Sequence, residues 1–488
     1  MKVRAWVCAA LAAWPALAHA QQRDESSMFG GDETAADAGR ERIPEDAMFG
    51  GDAPMAAEAD GGTSRDGEQL SGPEGKNQFD EGSASADPLQ IGGTLYMRYQ
   101  ANFAVDQPIE KSGFAAPSLL DVFLDARPSE RIRAFALGRL RYDPSVSSSG
   151  AVSPLPGLVP SGGSNPSVAL DQLWVRFDVA RSVFFTIGRQ KVKWGVGRLW
   201  NPTDFLNAQR RDPLAPFDLR LGINAVKVHV PIEALGWNFY GFGLLDNNGP
   251  AGTLGELGGA LRAEILVGPA EVSFSGAWVN GRRPRYAIDM STPIGPLDVY
   301  AEVAFRDGRD FTQFRERTDA DPPAAPGDFK AAFPEYRFEG LQVPTTVGAA
   351  FSLNYTDSST LVMGAEYFYN PTGAPKAALH IPALLSGTFT PFYAGQHYLG
   401  VFVLAPGAFD TQWMTLSLNN LVNLSDPSGI VRLDAFLRVM SFLQIELFVS
   451  VNYGLGEFRL GGSVDLPTGR ETIPLPVAST GVGLRVSI

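Results

Sequence analysis

The segment from Val431 to Tyr453 reads VRLDAFLRVMSFLQIELFVSVNY and contains two runs in which apolar and polar side chains alternate, separated by Met440-Ser441. The apolar positions are Val431, Leu433, Ala435, Leu437 and Val439, then Leu443, Ile445, Leu447, Val449, Val451 and Tyr453. A period of two indicates a β-strand with one apolar and one mostly polar face. The segment therefore predicts two antiparallel strands joined by a tight turn.

The same alternation recurs over residues 89–488, where it predicts about 18 strands (16–18). Their predicted positions are 91–105, 118–127, 131–142, 168–179, 182–192, 221–231, 236–246, 256–267, 270–280, 284–291, 297–306, 345–356, 360–369, 396–405, 410–421, 430–439, 442–454 and 479–488. Tight turns alternate with longer connections, notably 143–167, 193–220, 307–344, 370–395 and 455–478. Short turns at one end and long loops at the other are typical of an outer-membrane barrel, whereas a soluble sandwich has no reason to sort its loops in this way. The expected fold is all-β, a transmembrane antiparallel β-barrel.

Two segments of different character precede this region. Residues 1–20 combine two early basic residues, an apolar core and Ala18-His19-Ala20, which is typical of a secretory signal peptide. Residues 21–87 contain 17 acidic and 5 basic residues and account for nearly all of the chain's net charge of −13. Because such a composition buries too little apolar surface to offset the entropy of ordering, we expect residues 21–88 to be a disordered periplasmic segment.

The acidic segment contains the pentapeptide MFGGD twice, at 28–32 and at 48–52. One interpretation is linker drift or a small duplication. The other is a short docking motif for a periplasmic partner, since Met and Phe are the large apolar residues of this tail and recur together. The only cysteine, Cys8, lies within the predicted signal peptide, so disulfides and thiolate metal sites are not expected in the mature protein.

Strand parity assigns a set of charged side chains to the barrel interior. The predicted lumen residues are Arg98, Arg133, Arg139, Arg141, Arg176, Arg189 and Lys191, together with Asp121, Asp125 and Asp178. Parity also turns Glu302 and Glu366 inward. One interpretation is a wet lumen whose opposite charges pair across strands. The other is a basic cluster in the first five strands that sets ion preference and suits carboxylate or phosphate cargo.

Aromatic residues near strand ends are candidates for interfacial belts. They are Trp174, Trp237, Trp278 and Trp413, with Tyr96, Tyr142, Tyr367 and Tyr369.

The segment 188–228, GRQKVKWGVGRLWNPTDFLNAQRRDPLAPFDLRLGINAVKV, interrupts the alternation. Its prolines bar regular strand pairing, so residues 193–220 are expected to form a long extracellular or inward-folded loop. Its Gly195 and Gly197 do not make a nucleotide loop, because no third glycine, Gly-Lys-Ser/Thr or helical pattern follows at the required spacing.

This segment resembles the signature of a proteobacterial porin-like outer-membrane β-barrel family, in the style of alginate-export channels. The matching positions are Gly188, Arg189, Gln190, Trp194, Gly195, Asn201, Pro202, Thr203, Asp204, Asp212, Pro213, Arg220 and Gly222. The resemblance implies an outer-membrane pore or exporter of polar cargo such as saccharides. The chain ends GVGLRVSI, where such barrels usually end in an aromatic residue, but its alternation is compatible with insertion by the barrel-assembly machinery.

Three functions remain open at this point. The first is a porin-like channel in the lipid bilayer of the outer membrane, without enzymatic activity. The second is a loop-plugged structural barrel that serves as an envelope or polysaccharide-export component. The third is an outer-membrane barrel enzyme, although His229, His380 and His397 lie in no recognisable catalytic motif. No cofactor, metal or nucleic-acid partner is expected.

Overall fold

The structure is a computed structural model that describes residues 88–105, 107–146, 165–207, 209–245, 257–279, 281–321, 333–354, 360–466, 469–473 and 476–488. The predicted signal peptide and nearly all of the acidic segment, including both MFGGD repeats, lie outside the described residues. Contacts divide the chain into Met1–Arg42 and Ile43–Ile488, and every described residue belongs to the second unit.

Eighteen long antiparallel strands form the fold. They are β1 Leu89–Ala104, β2 Ser118–Ser129, β3 Ile132–Tyr142, β4 Ser167–Val179, β5 Val183–Gln190, β6 Ile223–Ile232, β7 Trp237–Leu244, β8 Gly258–Val267, β9 Ala270–Val279, β10 Arg285–Ile294, β11 Leu297–Asp307, β12 Thr345–Asn354, β13 Thr360–Tyr369, β14 His397–Pro406, β15 Met414–Asn423, β16 Ser428–Met440, β17 Leu443–Tyr453 and β18 Pro476–Ser487. Each pairs with the next, and β18 pairs with β1 from Thr94↔Ser487 to Ala104↔Pro476. The sheet closes on itself, so the predicted 18-stranded β-barrel is confirmed.

Shorter elements decorate the connections. Short strands lie at Gly113–Ala115, Thr312–Phe314, Glu335–Arg337, Leu341–Gln342, Gly462–Leu466 and Gly469–Ile473. Single 3₁₀ turns lie at Ile109–Lys111, Glu233–Leu235, Gly308–Asp310, Ala377–Leu379, Ala408–Asp410 and Glu457–Arg459, and the helix α1 spans His380–Leu385. Within the described residues, no helix is long and apolar enough to cross a membrane.

The two rims of the barrel differ in the length of their connections. One rim carries both barrel termini and tight connections such as the one between Val267 and Ala270. The other carries most of the long connections, which are 143–166, 191–222, 308–344, 370–396 and 454–475. We refer to these as the short-turn rim and the long-loop rim.

Side chains alternate between the two faces of the wall as the sequence pattern predicts. In β17 the outward residues Leu447 and Val449 are 45% and 44% exposed, whereas the inward Glu446 and Phe448 are each 4% exposed. The outer surface is therefore apolar and the interior is polar and aromatic, which is the arrangement that a barrel in hydrocarbon requires.

The belt interpretation is wrong for two of the aromatic residues. Tyr96 is 2% exposed and donates a hydrogen bond to Glu446, and Trp174 is 7% exposed between Arg133 and Arg176, so both face the interior. Both residues occupy positions of β1 and β4 whose side chains point inward. Proximity to a strand end does not determine which face of the wall a side chain occupies. Trp278, Trp413, Tyr142 and Tyr367 are exposed on the outside, as the belts require.

Candidate functional site

The connection 191–222, which we call the inner loop, runs through the barrel interior. Trp194 packs into a buried cluster with side chains of β6 to β9, including Tyr240 and Phe242. Trp200 belongs to a second buried cluster on β13 to β15, where it stacks on Phe368 at a ring-centroid distance of 5.6 Å. The inner loop therefore folds inward, which is one of the two positions that the sequence analysis left open.

Further along, the inner loop reaches the opposite part of the wall. Phe217 and Leu219 pack against Tyr96 and Leu119 of β1 and β2. The loop is thus held by apolar packing at three places around the inner surface, and it narrows the lumen between them.

Glu366 of β13 anchors the inner loop through the loop's own backbone. Its carboxylate accepts hydrogen bonds from the N–H groups of Arg198 at 2.7 Å and Trp200 at 2.7 Å, and more loosely from Leu199. The hydroxyl of Tyr300 donates to the same carboxylate at 2.9 Å. Glu366 is 0% exposed, so these donors replace the water that a buried carboxylate has lost.

Glu302 of β11 holds the next stretch of the loop in the same way. It accepts hydrogen bonds from the Gly197 N–H, from the Thr203 hydroxyl at 2.7 Å and from the Asn201 side chain at 3.1 Å. Gly195 approaches closely with φ of +97°, and a Cβ at this position would contact the Glu302 carboxylate and the Thr203 hydroxyl. The Trp-Gly and Asn-Pro-Thr part of the family-like segment therefore surrounds one buried carboxylate, and Pro202 lies between its two polar ligands.

On the opposite wall, arginines hold the inner loop through a backbone carbonyl. Arg139 donates to the Leu219 carbonyl at 3.2 Å and Arg141 donates to the same oxygen at 2.9 Å. Lys191 reaches the neighbouring Asp218 carbonyl at 3.3 Å. The inner loop thus offers N–H groups to an acidic wall and carbonyl groups to a basic wall.

The predicted basic cluster is largely paired with carboxylates. Arg133 forms two hydrogen bonds with Asp125, at 2.8 and 2.9 Å. Arg139 is paired with Asp121 at 2.6 Å and with Asp171 at 3.1 Å. Bidentate arginine–carboxylate pairs fix both geometry and charge, so this part of the wall carries less unbalanced positive charge than its arginines suggest.

Asp171 belongs to the site and was missed by the sequence analysis. It is 0% exposed and is paired with both Arg139 and Lys191. The strand register between β3 and β4 skips Asp171, because Leu137 pairs with Gln172 and Gly138 pairs with Leu170. A β-bulge of this kind turns an extra residue inward, and a simple count of alternate positions does not reveal it.

The remaining predicted lumen residues lie in different surroundings. Arg98 is 4% exposed and stacks over the Phe448 ring at 4.0 Å, and Arg176 is 7% exposed beside Trp174. Asp178 lies at the short-turn rim, where it pairs with Arg131 at 2.8 Å. Arg189 pairs in register with Leu173, whose side chain is exposed on the outer face, so the register places Arg189 on the outer face and not in the lumen.

The second half of the family-like segment forms an ion cluster within the inner loop. Arg220 is paired with Asp204 and with Asp218, each at 2.7 Å. Although burial opposes ionisation, Arg220 and Lys191 hold the pKa of the Asp218 carboxyl well below its usual range. Asp212 accepts a hydrogen bond from the Leu214 N–H, with Pro213 between them, and burial raises the pKa of Asp212.

Two connections of the long-loop rim and the ends of β14 and β15 meet beside the inner loop around Glu457. This carboxylate accepts hydrogen bonds from the Phe392 N–H at 2.5 Å, the Tyr398 hydroxyl at 2.5 Å and the Asn423 side chain at 2.9 Å. Burial raises the pKa of Glu457 to about 7. We call this group the loop junction, and the sequence offers no signal for it because its members are far apart along the chain.

Asp426 connects the loop junction to His380 of α1. Its carboxylate accepts from the Glu457 N–H at 2.8 Å and from the Ser428 hydroxyl at 2.7 Å, and the Nε2 atom of His380 lies 2.6 Å away. Within the described residues, no group of three or more His, Cys, Asp or Glu side chains could hold a metal ion.

Comparisons with known proteins give distant likenesses to solved porins. No protein-family model and no curated protein matches the sequence. Acinetobacter baumannii OccAB1 is similar with a TM-score of 0.49 and 9% identity, over 84% of this chain and 99% of that one. A BenF-like porin from Pseudomonas fluorescens Pf-5 has a TM-score of 0.46 and 12% identity, over 82% and 99%. A mutant of the Rh. blastica porin has a TM-score of 0.37 and 10% identity, over 82% and 100%.

Proposed function

We propose that this protein is a porin-like channel of the outer membrane that passes polar solutes, with a modest preference for anions. The observation that carries the proposal is the inner loop, which crosses the interior of a closed barrel and is fixed to opposite walls by buried polar contacts. A loop that is anchored in this way holds a fixed position and keeps the pore narrow. The apolar outer surface supports a position within a lipid bilayer.

The accessibility of part of the inner loop supports a water-filled entrance to the barrel. Gln209 and Arg210 are exposed although the barrel wall surrounds the loop that carries them. An exposed side chain within the barrel has water beside it, so a polar path reaches the narrowed region. Arg210 also gives this path a positive side chain that is not buried in an arginine–carboxylate pair of the wall.

Single-channel recording in planar lipid bilayers tests the proposal. The full chain, purified and shown to be folded by heat-modifiable migration, should insert and give discrete, ohmic current steps. In a salt gradient its reversal potential should indicate modest anion preference. Barrels that insert but give no steps would contradict the channel and support the loop-plugged structural barrel, and hydrolysis of a lipid or peptide substrate would support the enzyme.

The orientation forms part of the same proposal. We infer that the long-loop rim faces the cell exterior and that the short-turn rim and the acidic segment face the periplasm, since connections sort in this way in bacterial barrels. A cysteine at Glu316, exposed on the long-loop rim, should react with an impermeant thiol reagent on whole cells, whereas one at Ser129, exposed on the short-turn rim, should not. Labelling of Ser129 alone would reverse the proposed orientation.

A further inference from the structure

Two residues of the connection 370–396, Phe392 and Tyr393, lie between the loop junction and the inner loop. The N–H of Phe392 donates a hydrogen bond to Glu457 of the loop junction at 2.5 Å. The carbonyl of Phe392 accepts a hydrogen bond from the indole N–H of Trp200, in the inner loop, at 3.0 Å. We call Phe392 and Tyr393 the clamp, because they bind both parts at once.

Tyr393 makes the second contact between the clamp and the inner loop. Its hydroxyl donates to the carbonyl of Arg211 at 3.0 Å, and the guanidinium of Arg210 lies 4.8 Å over its ring. Tyr393 is 9% exposed, whereas Arg210 is exposed within the barrel. The position of the inner loop around Arg210 therefore depends on the position of Tyr393.

The backbone of Phe392 is strained. Its φ of +66° lies in the left-handed region, which is unfavourable for a residue with a bulky side chain. Hydrogen bonds to both of its backbone polar groups hold this conformation, and its ring packs on Phe458 at a centroid distance of 5.6 Å. If one of these contacts weakens, the strain favours relaxation of the clamp.

Glu457 is a buried carboxylate without a cationic partner. It is 6% exposed, and among the described residues no lysine or arginine forms an ion pair with it. Arg459, on the same 3₁₀ turn, donates instead to the Gly454 carbonyl at 3.3 Å. The hydroxyl of Tyr398 from β14 and the amide of Asn423 from β15 donate to the carboxylate, and both are neutral groups. Hydrogen bonds alone therefore stabilise the ionised form of Glu457.

Asp426 and His380 complete the surroundings of Glu457. Asp426, in the connection between β15 and β16, accepts the Glu457 N–H at 2.8 Å, and Nε2 of His380 from α1 lies 2.6 Å from the same carboxylate. Burial raises the pKa of Glu457 to about 7, and the charge of Asp426 adds to the rise, although the hydrogen bond from Tyr398 and the nearby His380 oppose it. Glu457 therefore titrates near neutral pH.

We propose that the clamp couples the protonation of Glu457 to the inner loop, so that pH controls the fluctuations of the narrowed part of the lumen. When Glu457 loses its proton, its buried charge favours separation of the 3₁₀ turn from the clamp and entry of water. The clamp then relaxes, and the inner loop loses two hydrogen bonds and the aromatic support of Arg210. The effect on current rests on the proposed channel function, whereas the movement of the loop does not depend on conduction.

A spin label in the inner loop tests the coupling. The mature chain is expected to contain no cysteine, so a label on Gln209→Cys, at an exposed position beside Arg210, reports on this loop alone. On the purified full chain in detergent, the ratio of mobile to immobile label should rise about tenfold between about pH 6 and pH 8, because the folded pKa of Glu457 exceeds its unfolded one. A ratio that does not change with pH would overturn the proposal.

A substitution of the carboxylate and a matched control identify the group that titrates. Glu457→Gln should keep the label at its pH 6 mobility throughout this range. Glu339→Gln, at an exposed glutamate of the connection 308–344, should leave the pH dependence intact. If the pH dependence persists in Glu457→Gln, another group titrates and the proposal is wrong.

Tyr393→Phe tests the clamp without altering the carboxylate. It removes the hydroxyl that donates to the Arg211 carbonyl and keeps the ring under Arg210, so the label should be several-fold more mobile already at pH 6. Tyr336→Phe, in the connection 308–344, is the control and should not change the mobility. Equal mobility in the two variants would overturn the role of Tyr393.

Planar-bilayer recording tests the consequence for the pore, and it separates this proposal from the channel function. Transitions between current levels should become about tenfold more frequent between about pH 6 and pH 8, and Glu457→Gln should abolish this change. A label that responds to pH in barrels that never conduct would overturn only the channel. Steady current at every pH, with an immobile label, would overturn the clamp and leave a general pore. Heat-modifiable migration of each variant confirms that the barrel has folded.

Discussion

The inner loop meets an acidic wall at β11 and β13 and a basic wall at β2 to β4, and the two walls bind it differently. Glu302 and Glu366 use their carboxylates on the loop's backbone N–H groups. Arg139 and Arg141 use their guanidinium groups on one backbone carbonyl, while Arg139 is also held by the carboxylates of Asp121 and Asp171. The acidic side chains take most of their donors from the loop, whereas Arg139 has carboxylate partners in the wall itself.

This difference changes how charge in a barrel lumen should be interpreted. When a loop supplies the hydrogen-bond donors of a buried carboxylate, the loop and the carboxylate stabilise each other. If the loop moves away, the carboxylate stays buried without donors, and if the carboxylate is removed, the loop's N–H groups lose their acceptor. An arginine paired within the wall stabilises the wall and contributes little net charge to the lumen. Counting inward charges therefore indicates neither ion preference nor the position of an anchor.

The largest expected effect is the loss of the acidic anchor. Glu366→Ala removes the acceptor of three backbone N–H groups and of the Tyr300 hydroxyl, so we expect the inner loop to lose about 3–5 kcal/mol of local stability. Hydrogen–deuterium exchange of the amides at 197–204 should accelerate by at least about a hundredfold. Glu335→Ala, at an exposed glutamate, is the control and should change nothing. Unaltered exchange in Glu366→Ala would show that the loop is held without this carboxylate, by apolar packing and by its other polar contacts.

The basic wall gives the next effect. Arg139→Gln leaves Asp121 and the fully buried Asp171 without their main partner, so we expect about 3 kcal/mol of destabilisation. Arg141→Gln removes a hydrogen bond to the Leu219 carbonyl and should cost about 1 kcal/mol. Denaturant unfolding of the two variants side by side measures the difference. If the two variants lose the same free energy of unfolding, the ion pairs of Arg139 within the wall stabilise the protein no more than the hydrogen bonds to the loop do.

A smaller effect is expected from the close approach of the loop to Glu302. Gly195 has φ of +97°, and an added Cβ would lie 2.7 Å from both a Glu302 carboxylate oxygen and the Thr203 hydroxyl. We expect Gly195→Ala to cost about 2 kcal/mol through strain and displacement of the carboxylate. Gly268→Ala serves as the control, because Gly268 also has positive φ but an added Cβ meets nothing within 4 Å. If the two substitutions cost the same, strain and not the carboxylate determines the effect.

The sequence predicts the wall better than the site, and particular residues show why. Alternation along Leu443–Tyr453 depends only on neighbours two positions apart, so strand faces and number follow from it directly. It also turns Glu302 and Glu366 inward. The alternation does not predict which groups these carboxylates bind. The N–H groups of Arg198 and Trp200 reach Glu366 because the chain folds back across the lumen, and this depends on tertiary structure.

Local irregularities of strand pairing explain why the sequence pattern did not indicate Asp171 and placed Arg189 in the lumen. The bulge at Asp171 turns a carboxylate inward, and the register of β5 against Leu173 turns Arg189 outward. Both depend on pairing with a neighbouring strand, about which a single strand's pattern carries no information. Part of the family-like segment lies inside the barrel, where Gly195 and Thr203 lie against Glu302.

The smallest expected effect comes from Glu457, a carboxylate that is held like Glu302 and Glu366 but lies outside the strands. Burial raises its pKa from 4.5 to about 7, with the negative charge of Asp426 adding to the rise, while hydrogen bonds and the nearby His380 oppose it. Since the folded pKa exceeds the unfolded one, the stabilisation is present at low pH and is lost as pH rises through about 7.

The loop junction should therefore lose about 1 kcal/mol of local stability between about pH 6 and pH 8. Exchange of the Phe392 and Tyr393 amides, corrected for the intrinsic pH dependence, measures this loss. Glu457→Gln keeps a neutral side chain of the same size and should make the protection independent of pH over that range. If protection in the unmodified protein instead increases with pH, the loop junction is more stable when the Glu457 carboxylate is ionised. In that case, Glu457 holds the loop junction as a charged acceptor, and its hydrogen bonds outweigh the effect of its burial.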